Sequence, residues 1–136
     1  RSASLCIDAD EYISDLRRFL PPNDKNDDFK IHNITVRYAA KDDYTYLNYA
    51  KEDMFGLVIL IQHGLKEKEI HNAKTIIQEW TDLTLKHGGG YYLPYYHYQS
   101  KEQFRKSYPS WEMFQEEKLI RDPNGVFQNI FYDYYF

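Results

Sequence analysis

The stretch KEKEIHNAKTIIQEWTDLTLK, residues 66–86, places the strongest constraint on the fold. Ile70, Ala73, Ile77, Trp80 and Thr84 recur at a period of about 3.6, with Ile76, Leu83 and His87 beside them. That spacing predicts a helix of about 20 residues with a broad apolar stripe, which another layer must cover. The glycines after His87 end the helix, because glycine readily takes the left-handed backbone that closes a last turn.

The covering layer is legible upstream. Residues 29–40, FKIHNITVRYAA, alternate at period two. Ile34, Val36, Tyr38 and Ala40 share one face, while Asn33, Thr35 and Arg37 share the other. A strand with one apolar and one polar face belongs to a sheet packed on one side only. GLVILIQ, 56–62, is apolar on both faces and reads as a central strand; YTYLNYA, 44–50, reads as a short strand or extended piece. Before them, IDADEYISDLRRFL, 7–20, reads as a helix. Asp8 or Asp10 caps it, and Ile13, Leu16, Phe19 and Leu20 lie at helical spacing. Pro21-Pro22 stops that helix, and NDKNDD is a polar loop.

GYYLPYYHY predicts a strand over 91–98, with Tyr92, Pro94, Tyr96 and Tyr98 on one face and Tyr91, Leu93, Tyr95 and His97 on the other. Pro94 lacks the N–H a ladder needs, so this strand lies at an edge or carries a bulge. Ser100 and Gln103 form a capping-box signature that opens a short helix. Pro109 opens another, SWEMFQEEKLI, with Trp111, Phe114 and Lys118 on related faces. A turn at Asp122 to Gly125 leads to an aromatic-rich end. This order predicts an α+β domain, an antiparallel sheet with helices packed on one face, ending in short helices. At 136 residues the chain, 1–136, reads as one domain.

Composition excludes several roles. A net charge of −4 and a pI near 5.7 give no basic footprint for nucleic acid. The longest apolar run, MFGLVILI at 54–61, is far below the roughly 20 residues a membrane span needs. The single cysteine, Cys6, cannot form an internal disulfide and points to a reducing, cytoplasmic compartment. One cysteine and scattered histidines give no zinc set, so no metal site is expected. The chain opens RSAS and reads as the interior of a longer gene product.

Familiar catalytic patterns are missing. HGGG at 87–90 has the composition of an oxyanion or phosphate loop, but such loops open a helix and this one closes a helix. No G-x-S-x-G elbow is present, and His63, His71, His87 and His97 have no serine or cysteine in a recognisable motif. The acidic pairs Asp27-Asp28, Asp42-Asp43 and Glu116-Glu117 sit in loops or on a solvated helix face. Arg37 is different: a fixed charge in mid-strand, on the face of Asn33 and Thr35. One reading is an exposed sheet face. The other is a sheet that roofs a ligand whose oxygen the guanidinium holds, with the tyrosines of 91–98 as flat walls.

The run YPSWEMFQEEKLIRDPNGVFQN, residues 108–129, resembles the closing segment of FAD-linked oxidases of the vanillyl-alcohol oxidase superfamily, in particular the sugar-lactone and alditol oxidases. Tyr108, Pro109, Trp111, Phe114, Lys118, Asp122, Pro123, Gly125, Phe127 and Asn129 fit that pattern in order and spacing. ITVRYAAKDDYTYLNYA, 34–50, looks like the cap-domain strand of that family, and the helix before the Gly-rich strand matches as well. The resemblance implies a cap and C-terminal region of a longer flavoprotein whose FAD-binding domain lies outside this chain and is its partner. Its substrate would be a small-molecule alcohol, polyol or sugar-like, oxidised by hydride transfer to flavin N5.

By that resemblance Arg37 contacts substrate oxygen or flavin, and His97 serves as a pocket residue and base. Asn33, Thr35 and Tyr96 face substrate, while Tyr95 and Asn129 lie toward the cofactor. The chain departs from the family at Thr35, where those enzymes carry glutamate. It departs again at PYYHY, where they carry histidine-tryptophan-glycine-lysine. The alternative reading is a stand-alone α+β module that binds a ligand or protein on an aromatic sheet face.

Overall fold

The computed structural model describes residues 2–6, 9–19 and 29–136. Four strands form one antiparallel sheet: β1 (Ser2–Cys6), β2 (Phe29–Ala39), β3 (Met54–His63) and β4 (Gly90–Tyr91), in the order β2-β3-β1-β4. Five helices accompany them among the described residues: α1 (Ala9–Phe19), α2 (Glu67–Lys86), α3 (Lys101–Ser107), α4 (Trp111–Arg121) and α5 (Ile130–Tyr135). The expected α+β architecture is therefore observed, and β3 is central as expected, lying between β2 and β1.

The register sorts the two faces. Ile34 pairs with Ile59 and Val36 with Leu57 on one face; Thr35 pairs with Val58 and Arg37 with Gly56 on the other. The first face is covered by α1 and α2. Tyr12, Leu16, Ala73, Trp80 and Leu83 pack on Phe29, Leu57 and Ile59, and both Leu57 and Ile59 are 0% exposed. Leu16, Phe29, Leu57, Ile59 and Leu83 each contribute about 1.5–3 kcal/mol by leaving water. Tyr12 belongs to this core although its polar tip hid it in the sequence; its hydroxyl is satisfied by Thr84 Oγ1 at 2.9 Å. Val36 and Tyr38, on the same face of the edge strand β2, stay exposed.

α2 ends as its sequence predicts. Gly88 has φ 71°, its N–H donates to Leu85 O, and Gly89 N–H donates to Thr84 O, a full left-handed cap. The HGGG amides are thereby engaged in closing a helix. The capping box at Ser100 and Gln103 is also present, with reciprocal bonds of 3.1 Å. Asp10 lies inside the first turn of α1, where its charge favours the helix N-terminus. The Asp8 cap and the loop at 21–28 lie outside the described residues.

Two expected strands are corrected. Residues 44–50 form turns and bends, because the Asp42 carboxylate accepts from the Tyr44 and Thr45 amides and Asn48 Nδ2 donates to Asp42 O at 2.7 Å. Residues 92–98 are likewise irregular, and only Gly90–Tyr91 joins the sheet, opposite Leu5 and Ser4. Behind that short strand sits a second core. Tyr91, Phe104, Tyr108 and Tyr135 are buried, with Trp111, Phe131, Tyr134 and Phe136 packed around them. Phe104 stacks on Tyr135 at 4.4 Å between centroids, and the Tyr108 hydroxyl donates to Tyr91 O.

Candidate functional site

The open face of β2 and β3 carries the site. Asn33, Thr35 and Arg37 are all exposed there, as the alternation predicted. A groove of about 340 Å³ runs beside Arg37. Its floor is Ala39, Gly56 and Val58; its walls include Tyr49, Tyr92 and Tyr95. Arg37 lines the groove, and no ion pair or side-chain hydrogen bond joins it to another described residue.

Two loops hold the walls. The 40–53 loop is closed by Asp42 N–H donating to Ala50 O at 2.9 Å and by Lys41 N–H donating to Asp53 Oδ1 at 3.0 Å. The Thr45 hydroxyl and the Tyr44 amide hold the Asp42 carboxyl below the usual carboxylate range. This loop anchors itself by burying Ala50 beside Met54, Ala39 and Tyr92, and so delivers Tyr49 to the rim. The rings then contact one another edge to face, Tyr49 on Tyr92 at 5.2 Å and Tyr92 on Tyr95 at 5.4 Å.

His97 lines a second groove of about 560 Å³ with Pro94, Tyr95, Tyr96 and Ile130. Its ring packs on Phe131, Tyr134 and Tyr135 at 5.7–6.3 Å, and its buried Nδ1 has no hydrogen-bond partner among the described residues. Tyr96 is 76% exposed and stacks on Tyr98. Tyr95 lines both grooves.

Of the expected residues, then, Arg37 and Tyr95 share one groove, and His97, Tyr96 and Tyr95 share the next. Asn33 and Thr35 lie along the Arg37 face beyond the groove lining, joined at 3.4 Å. Asn129 lines neither groove; it caps α5, its Oδ1 accepting from Tyr132 N–H at 2.8 Å. Tyr92, one of the tyrosines of 91–98 expected as walls beside Arg37, lines the groove as well, whereas Tyr49 and Gly56 were not expected. A glycine inside an otherwise β-branched and aliphatic strand was the one signal for Gly56.

The C-terminal segment presents a further surface. Asp122 is held well below the usual carboxylate range by Lys118 beside it, and its oxygens accept from Val126 and Phe127 amides at 2.8 and 2.9 Å. Gly125 completes the predicted turn with φ 63°. The turn holds Val126 and Phe127 outward, Phe127 at 78% exposure, and Ile120 and Ile130 of the flanking helices are exposed as well.

Among the described residues no helix is long and apolar enough to cross a membrane, and no three His, Cys, Asp or Glu side chains gather to hold a metal. The chain has no significant match to any protein-family model, curated protein or solved structure.

Proposed function

We propose that the chain is the substrate-binding cap and C-terminal portion of an FAD-dependent oxidoreductase that oxidises an alcohol, its own FAD-binding domain being the partner. The observation that carries this reading lies in residues 108–129, the segment on which the resemblance rests. There the Asp122 turn rigidly presents Val126 and Phe127 to solvent, an arrangement that supports docking against another domain. The lone cysteine remains the support for a reducing, cytoplasmic location.

The residues fit a flavin's neighbourhood rather than a whole dinucleotide. A groove of about 340 Å³ accommodates one ring system, and Arg37 offers a free planar donor set to an oxygen at its edge. FAD, when bound, supplies the hydride acceptor. Arg37 would hold the substrate oxygen, the tyrosine rings would orient its body and exclude water, and Tyr95 would link that space to His97. His97 lines the adjoining groove with Tyr95 and Tyr96, where it would serve as the base.

The test is to express the chain joined to its upstream coding sequence. A flavin absorbance band is expected, with Arg37→Ala retaining the band and slowing its bleaching by substrate. A colourless full-length protein overturns the reading. A second reading, a stand-alone ligand-binding module, is supported by the groove that Arg37, Tyr49, Gly56, Tyr92 and Tyr95 line on the open sheet face. It predicts ligand binding by the chain alone.

A further inference from the structure

Gly56 has no structural reason to be glycine. It lies within β3, opposite Arg37, and its φ lies outside the left-handed range that favours glycine. A Cβ built on it meets one atom within 4 Å, Arg37 O at an ordinary 3.6 Å, and otherwise open space. Mid-strand glycine weakens a strand relative to alanine, and it marks places where a ligand or another backbone comes close. Apart from that carbonyl, no other described atom comes within 4 Å of the built Cβ, so the space above Gly56 has room for a ligand.

The walls of that space state the ligand's chemistry. On one side is the Arg37 guanidinium, a planar fork that matches a carboxylate by two parallel hydrogen bonds and carries no partner among the described residues. On the other are the rings of Tyr92 and Tyr95, in edge-to-face contact with each other. The floor is flat and small, with Ala39 and Val58 beside the missing side chain. No carboxylate lines the groove, so nothing there repels an anion or chelates a row of sugar hydroxyls.

We propose that the slot over Gly56 seats a flat ring bearing a carboxylate, the ring lying on the glycine and against the tyrosines and the carboxylate on Arg37. This takes the site from the reading above and changes its substrate class from a sugar-like polyol to an aromatic hydroxy acid. The binding step itself needs no flavin.

The experiment titrates the chain with benzoate and follows the Gly56 and Arg37 amides by NMR. Cyclohexanecarboxylate serves as the non-flat acid, benzyl alcohol as the uncharged ring and riboflavin as the competing ring system. Benzoate is expected to shift both amides and to bind roughly tenfold or more tightly than either analogue. Gly56→Val, which fills the slot, and Arg37→Gln, which removes the charge, should each weaken benzoate by about the same factor. Gly56→Ala serves in place of Gly56→Val if the valine variant loses its far-UV circular dichroism, and should weaken benzoate less. Equal binding of benzoate and cyclohexanecarboxylate, or of benzoate and benzyl alcohol, overturns the proposal, as does benzoate binding that Gly56→Val leaves unchanged. Riboflavin shifting these amides where benzoate does not overturns the aryl-acid assignment alone. The flavin band of the longer protein reports separately on the flavoprotein reading.

Discussion

The two faces of β2 and β3 are made from the same strands in alternate positions, yet they have opposite fates. Ile34, Leu57 and Ile59 on one face disappear under α1 and α2, while Arg37, Gly56 and Thr35 on the other stay open. The closed face is filled with branched aliphatic side chains that lock the register. The open face has a glycine where a valine or isoleucine would stabilise the strand more. Stability is thus concentrated on one side of the sheet, which leaves the residues of the other side free to be chosen for binding.

The contrast can be broken at its strongest point first. Ile59→Ala should destabilise the chain by about 2–5 kcal/mol in denaturant unfolding, because it leaves a cavity between sheet and helices. Thr35→Ala, one row away on the open face, should stay within about 0.5 kcal/mol. Equal costs would mean the faces are not energetically distinct.

The closed side extends into the second core, where burial pushes the Tyr135 hydroxyl up to about 12 and raises Tyr91 and Tyr108 as well. The folded state therefore holds these protons more tightly than the unfolded chain, in which tyrosine titrates near its ordinary value of about 10. Their contribution is complete below that pH and is lost as pH rises toward 12 and beyond. Urea midpoints should be flat with respect to this effect at neutral pH and fall steeply above about pH 10. A midpoint that holds level to pH 12 would place these tyrosines in water.

A smaller effect sharpens the same picture. Ser100→Ala removes the cap that orients α3 and its buried Phe104, at a cost of about 1 kcal/mol. Gly56→Ala should act in the other direction, raising stability slightly while weakening ligand binding, an opposition expected only on the open face.

Much of the closed face was legible because burial writes itself as periodicity. The 3.6 spacing of Ala73, Ile77, Trp80 and Thr84 and the alternation around Arg37 each match an observed element. The caps at Ser100 and Gly88 were legible because each needs a particular side chain or backbone freedom. The misses have physical causes too. Tyrosines at 44–50 favour strands, yet the Asp42 carboxylate takes the amides a ladder would need. At 92–98 no partner strand is available beyond Tyr91, so alternation has no ladder to express. β1 escaped because Ser, Ala and Ser carry almost no apolar signal, and its place is set by its neighbours. Tyr92 and Tyr95 beside Arg37 follow one of the two readings of that face, whereas the arrival of Tyr49 depends on how the 40–53 loop folds back, which no local pattern encodes.

That inconspicuous first strand has a mechanical consequence. Among the described residues β1 alone joins β3 to β4 in the sheet, pairing Cys6 with Phe55 on one side and Leu5 with Gly90 on the other. β2 and β3 are neighbours in sequence and can zip together early, whereas β1 must close a much longer loop before β4 has anywhere to attach. β1, which precedes both of the strands it joins, is thus among the last to find its seat. A tether pulling on the N-terminus would draw out that seam and detach β4 from the rest of the sheet in one event.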